Sequence, residues 1–120
     1  MALATDDRAG LKSPQSKKTQ LLLKAAIVRH KKLEFEAAKL IYEEVQKSDP
    51  CNIMCWQLSG LLCCQMKDYE KSIELLSRAI ALEPVHEDSY YHRAISYQEL
   101  GYLEQSCDDY SSALSINREN

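Results

Sequence analysis

Residues 53–86 read IMCWQLSGLLCCQMKDYEKSIELLSRAIALEPVH, and their spacing decides the architecture. Small and apolar residues recur every three or four positions, at Trp56, Gly60 and Cys63 and again at Tyr69, Ser72, Ile73, Leu76, Ala79 and Ile80. That is the period of an amphipathic helix, met twice with an interruption near residue 67. Pro84 closes the stretch, because proline holds its predecessor out of the helical region and lacks an N–H of its own.

The same pattern stands 34 residues to either side. Small residues fall at Ala26, Gly60 and Ala94, and large ones at Leu22, Trp56 and Tyr90. Further columns are Phe35, Tyr69 and Leu103, then Tyr42, Leu76 and Tyr110. Ala38, Ser72 and Ser106 are small, as are Val45, Ala79 and Ala113, and Glu36, Glu70 and Glu104 are identical. Pro50 and Pro84 end two of the units, while Arg118 takes that place in the third. A fixed period of this length marks an array of repeated supersecondary units. The units run 19–52, 53–86 and 87–120.

Breaks near 33, 67 and 101 divide each unit into two antiparallel helices. Gly101 marks its break most plainly, since glycine enters the left-handed conformation that ends a helix. First helices are predicted near 19–32, 53–66 and 87–100, and second helices near 35–48, 69–82 and 103–116, with Asp68 capping the fourth. The chain is therefore expected to be all-α, a stack of three helix hairpins. Ala26, Gly60 or Ala94 is expected to face Ala38, Ser72 or Ser106 at a close helix crossing. Residues 1–18, polar and proline-interrupted, are expected to form a disordered leader; within them, Ser13 precedes Pro14 as a candidate phosphorylation site.

Composition narrows the function. A formal net charge of -3 is too mild for nucleic-acid or membrane-surface binding, and no run of apolar residues is long enough to span a bilayer. No secretory signal opens the chain, so the cytoplasm, or else the nucleus, is the expected location. The five cysteines, Cys51, Cys55, Cys63, Cys64 and Cys107, are odd in number and lack paired zinc-ligand spacing, and they read as reduced thiols. His30, His86 and His92 are scattered, and no catalytic order of nucleophile, histidine and acid is present. No catalytic residue, metal site or cofactor is expected.

These columns resemble the tetratricopeptide repeat, whose pattern sets Trp-x2-Leu-Gly-x2-Tyr in the first helix of each unit and Ala, Phe, Ala and Pro at fixed places afterwards. The middle unit matches best, with Trp56, Gly60, Tyr69, Ala79 and Pro84; the third keeps Tyr90, Ala94, Tyr97, Gly101, Tyr110 and Ala113. In the first unit Ala26, Phe35, Ala38, Tyr42 and Pro50 hold the register, while Arg29 and Leu33 depart from it. The resemblance implies a right-handed superhelix in which first helices line a concave groove for a peptide or helix. It carries the groove contacts over to Leu23, Ile27 and Lys31, to Met54, Gln57 and Leu61, and to Tyr91, Ile95 and Gln98, with Cys64 a further groove position.

Family members that hold the acidic tails of Hsp70 or Hsp90 use lysine, asparagine and arginine side chains as a carboxylate clamp. At the matching places this chain has Leu23, Ile27, Leu58, Asp88 and His92, and Asp88 would repel an anion. Such tail binding is therefore not expected; an apolar stripe for a hydrophobic segment stands there instead.

Residues 1–50 carry ten basic and seven acidic groups, residues 85–120 two basic and seven acidic. Asp88, Glu99, Asp108 and Asp109 are thus a candidate seat for a basic ligand end. The expected function is a non-catalytic adaptor or scaffold with a protein partner. The alternative is a structural segment of a longer array, and self-association through the C-terminal hairpin is a further expectation.

Overall fold

The computed structural model describes residues 16–119. Most of the expected leader, Ser13 included, lies outside them. Its last three residues are ordered into the fold: Ser16 caps the first helix, its Oγ accepting the Thr19 N–H at 3.0 Å, and Lys17 and Lys18 begin that helix. The described residues form six helices and no strand. They fall into two compact units divided between Asn52 and Ile53.

The first unit is one hairpin, α1 (Lys17–Lys31) and α2 (Phe35–Ser48). Ala26 and Ala38 are fully buried, and Tyr42 and Val45 with them. His30 is drawn inward beside them: its Nδ1 lies 2.9 Å from the Tyr42 hydroxyl, and its ring meets Phe35 and Tyr42 edge-on. Arg29 and Lys31 occupy the last turn of α1, where cations suit the negative end of the helix dipole. Across the turn Arg29 meets Glu34 at 2.8 Å, and the hydrogen bond from Arg29 lowers the Glu34 carboxyl below its ordinary range.

The second unit holds two hairpins, α3 (Ile53–Gln65) with α4 (Tyr69–Leu82) and α5 (Glu87–Glu99) with α6 (Leu103–Glu119). Here α4 packs against α5, and α3 also touches α5. A Cβ added to Gly60 would fall 2.5 Å from Cγ and Cδ2 of Leu76, so this crossing admits no side chain on α3. The backbone carbonyl exposed by that close approach is used. The Ser72 hydroxyl donates to the Gly60 carbonyl at 2.8 Å, and one repeat later the Ser106 hydroxyl donates to the Ala94 carbonyl at 2.9 Å. Trp56, Cys63, Leu75 and Ala79 form the buried cluster beside it, with the Arg78 guanidinium 5.1 Å over the Trp56 ring.

All three hairpin turns share one device. Leu33, Lys67 and Gly101, each 34 residues apart, have positive φ of 64°, 67° and 87°. In each turn this left-handed residue donates three residues back, and the next donates five back: Glu34 to Arg29, Asp68 to Cys63 and Tyr102 to Tyr97, at 2.8 to 2.9 Å. This is the Schellman closure, which satisfies carbonyls a helix end leaves open. Asp68 also accepts the Lys71 N–H, the cap expected of it.

Between units of the repeat the chain stops on Asp49 and Glu83, whose φ of -145° and -144° take the backbone out of the helical region before Pro50 and Pro84. Helix α6 meets no such block. With Arg118 in place of proline it continues to Glu119, beyond the expected end near 116.

Candidate functional site

The second unit brings two sets of predicted groove residues onto touching helices. Met54, Gln57 and Leu61 stand on successive turns of one face of α3, and Tyr91, Ile95 and Gln98 on successive turns of α5. The helices meet where the Cys64 thiol donates to the His92 carbonyl at 3.9 Å. Met54 and Tyr91 are 51% and 46% exposed, while Leu61 and Ile95 are half-buried. Tyr91 is held as a platform by edge contacts with His92 and Tyr110, at centroid distances of 5.2 and 6.0 Å. The Tyr110 hydroxyl donates to Gln98 Oε1 at 2.9 Å, which turns the amide nitrogen of Gln98 free of that bond. Gln57 is half-buried and its Nε2 has no hydrogen-bond partner among the described residues.

In the first unit Lys31 is exposed and Ile27 half-buried, but Leu23 is only 7% exposed. Leu23 thus belongs with the buried apolar residues and presents almost no surface to a ligand, against the expectation carried over from the repeat pattern. Of the clamp positions in the second unit, Leu58 is half-buried, Asp88 is exposed, and His92 donates its Nδ1–H to the Asp88 carbonyl at 2.9 Å.

Cys64 is half-buried, and desolvation raises its thiol above the ordinary cysteine range, so it stays protonated at neutral pH. None of the five cysteines is joined in a disulfide. His86 Nδ1 is engaged with the Ser89 hydroxyl at 2.8 Å, and among the described residues no group of three His, Cys, Asp or Glu is placed to hold a metal ion.

The acidic seat expected at residues 88, 99, 108 and 109 loses a member. Asp109 is buried and fully engaged by Arg93, whose Nε and Nη2 donate to its two oxygens at 2.7 and 2.8 Å. Arg93 Nη1 donates to Ser77 of α4 at 2.9 Å, and its guanidinium lies 5.9 and 5.7 Å from the Tyr90 and Tyr97 ring centroids. The hydrogen bonds to Asp109 hold Arg93 charged more firmly than usual. One side chain therefore ties α4, α5 and α6 together. A signal for it exists in the repeat columns: Arg93 replaces the small Ala25 and Ser59, and Asp109 replaces the apolar Ile41 and Leu75. Opposite charges appearing together in one unit, at two positions otherwise small or apolar, point to a pair.

Tyr90 reaches back to donate its hydroxyl to the Pro84 carbonyl at 2.9 Å, and Ala79, Ala94 and Ala113 are buried. The sequence matches family profiles described as TPR repeat over residues 60–101 and Tetratricopeptide repeat over residues 87–120. The chain belongs to the tetratricopeptide-repeat family. Among solved tetratricopeptide-repeat structures, it is similar to the first TPR of Spaghetti (RPAP3) bound to HSP90 peptide SRMEEVD, with a TM-score of 0.83 at 21% identity over 88% of this chain and 84% of that one. The Arabidopsis OM64 TPR domain gives 0.82 at 14% identity, covering 87% and 86%. Such likeness establishes the all-α tetratricopeptide fold.

Curated relatives are more distant in extent. Protein KINESIN LIGHT CHAIN-RELATED 3 of Arabidopsis thaliana is 30% identical over 103 residues, 74% of this chain and 16% of its own length. An N-terminal acetyltransferase A complex subunit-like protein of Schizosaccharomyces pombe is 26% identical over 72 residues, 60% of this chain and 10% of its own length. The chain thus spans a small part of the length of these relatives. No helix among its described residues is long and apolar enough to cross a membrane.

Proposed function

We propose that this chain is a non-catalytic protein-interaction module, an adaptor or scaffold of a reducing compartment, and that the α3 and α5 face receives an apolar peptide segment or helix face of a partner protein. The observation that carries the reading is the exposure of Met54 and Tyr91 on touching helices, with Leu61 and Ile95 half-buried beside them. Apolar side chains left open on a shaped face are the usual anchors for a hydrophobic ligand segment, and the free donors of Gln98 suit backbone carbonyls at its edge.

Binding of an acidic heat-shock tail is disfavoured in this reading, although the Spaghetti domains were solved with an HSP90 peptide. What supports this is the clamp itself: Leu58, Asp88 and His92 replace charge-assisted donors, and the His92 Nδ1–H is already committed. Titration with the peptide SRMEEVD is the direct check, and micromolar affinity would reverse the assignment.

A second reading, a structural segment of a longer repeat array with no strong ligand, draws on the much greater length of the curated relatives. Leu61→Glu combined with Tyr91→Glu separates the two. Affinity capture with the wild type and with this variant, each shown by circular dichroism to be folded, should yield a partner that the variant loses. Equal capture by both would sink the groove assignment.

A further inference from the structure

Two helices carry an apolar seam that the repeat leaves bare. On α1, Leu21, Ala25 and Val28 lie at four- and three-residue spacing, with Leu21 61% and Val28 49% exposed. On α6, Leu103, Cys107, Tyr110 and Leu114 lie at the same spacing, with Leu103 62% and Leu114 59% exposed and Tyr110 half-buried at the inner edge against Tyr91 and Gln98. The repeat register shows what such seams are for. The α1 seam corresponds, two repeats on, to Ser89, Arg93 and Ser96 of α5, and the α6 seam corresponds to Tyr69, Ile73, Leu76 and Ile80 of α4. In the second unit those positions are covered: Ser89 and Ser96 are buried, Arg93 bonds to Ser77 of α4, Tyr69, Ile73 and Ile80 are half-buried, and Leu76 is buried against Gly60 of its own hairpin. One seam is therefore the α5 half of an inter-repeat joint, and the other is the α4 half.

Charge separates the two halves. Helix α1 contains no acidic residue, and Lys17, Lys18, Lys24, Arg29 and Lys31 are exposed around its seam. Helix α6 exposes Glu104, Asp108 and Glu119 against the single base Arg118. Two α1 seams would repel each other, and so would two α6 seams, whereas α1 and α6 attract.

We propose that the chain self-associates head to tail, the α6 seam of one copy docking on the α1 seam of another in the manner of α4 on α5. Leu103, Cys107, Tyr110 and Leu114 then lie against Leu21, Ala25 and Val28, and the small Ala25 leaves room for the larger side chains opposite. Two different patches meet in this contact, so each copy keeps one free seam and association proceeds to chains or closed rings rather than stopping at a two-fold dimer.

The test is sedimentation velocity and light scattering on the full chain, wild type and two variants, Val28→Glu and Leu114→Glu. Both sites are exposed, so folding should survive, and circular dichroism checks it. Wild-type mass should rise with concentration. It should fall when salt is raised from about 0.1 to about 1 M, which shortens the screening length from about 10 to about 3 Å. Each variant alone should be monomeric. An equimolar mixture should form dimers and nothing larger, because the mixture contains one intact α1 seam and one intact α6 seam. A wild type that is monomeric at every concentration overturns the proposal, as does either variant associating by itself or a mixture that stays monomeric.

Discussion

Gly101→Ala isolates the energetics of the hairpin turn. At Gly101 the backbone has φ of 87°, and an added Cβ would meet nothing within 4 Å, so the substitution creates no clash and removes no contact. The left-handed conformation costs an L-residue about 1–2 kcal/mol, while the restricted unfolded chain returns about 0.4–1 kcal/mol. The net expectation is a loss of about 1 kcal/mol, or about 4–8 °C in Tm for a domain of this size. The reciprocal change is Lys67→Gly, at an exposed residue already strained at φ of 67°. It should gain about 0.5–1 kcal/mol for the same reason. Urea unfolding followed by Trp56 fluorescence and far-ultraviolet dichroism measures both, and the midpoints should move in opposite directions with an unchanged slope. A neutral Gly101→Ala together with a destabilising Lys67→Gly would refute the account of the turn.

Trp56→Ala removes the largest member of the buried cluster with Cys63, Leu75 and Ala79, and a loss of about 3–5 kcal/mol is expected from thermal or urea unfolding; an unchanged melt would contradict the packing. Asp109→Ala strands the Arg93 guanidinium in a mostly buried position and should cost about 3–5 kcal/mol, with much of that recovered in Arg93→Met combined with Asp109→Leu. If the double variant is no better than the single one, the buried charge is not the source of the loss.

The helices were readable because the apolar and small-residue columns recur in all three units. Prolines at 50 and 84 and the glycine at 101 fixed most ends to within two or three residues, and the long α6 follows from the absent proline at 118. The turns were harder to read. Only Gly101 advertises a left-handed residue, whereas Leu33 and Lys67 adopt the same conformation with side chains that ordinarily avoid it, so only register revealed them. The Arg93 and Asp109 pair was concealed differently: sixteen residues separate the partners, and charge on a helix face looks solvated until the neighbouring helix is in place. In sequence Asp109 therefore reads as part of a ligand seat, whereas Arg93 closes it off. Leu23 is the opposite case, a position of the groove pattern whose side chain is only 7% exposed.

The hydroxyls of Ser72 and Ser106 bear on how the hairpins move. Each buried hydroxyl donates to one carbonyl across its hairpin, and sliding the helices past each other would leave that hydroxyl without a partner, at a cost of about 1–3 kcal/mol. Splaying the helices about the same point keeps the bond. Each of these crossings therefore behaves as a pivot and not as a rail, so the α3 and α5 face can widen or narrow while its side chains stay in step along the helix axes.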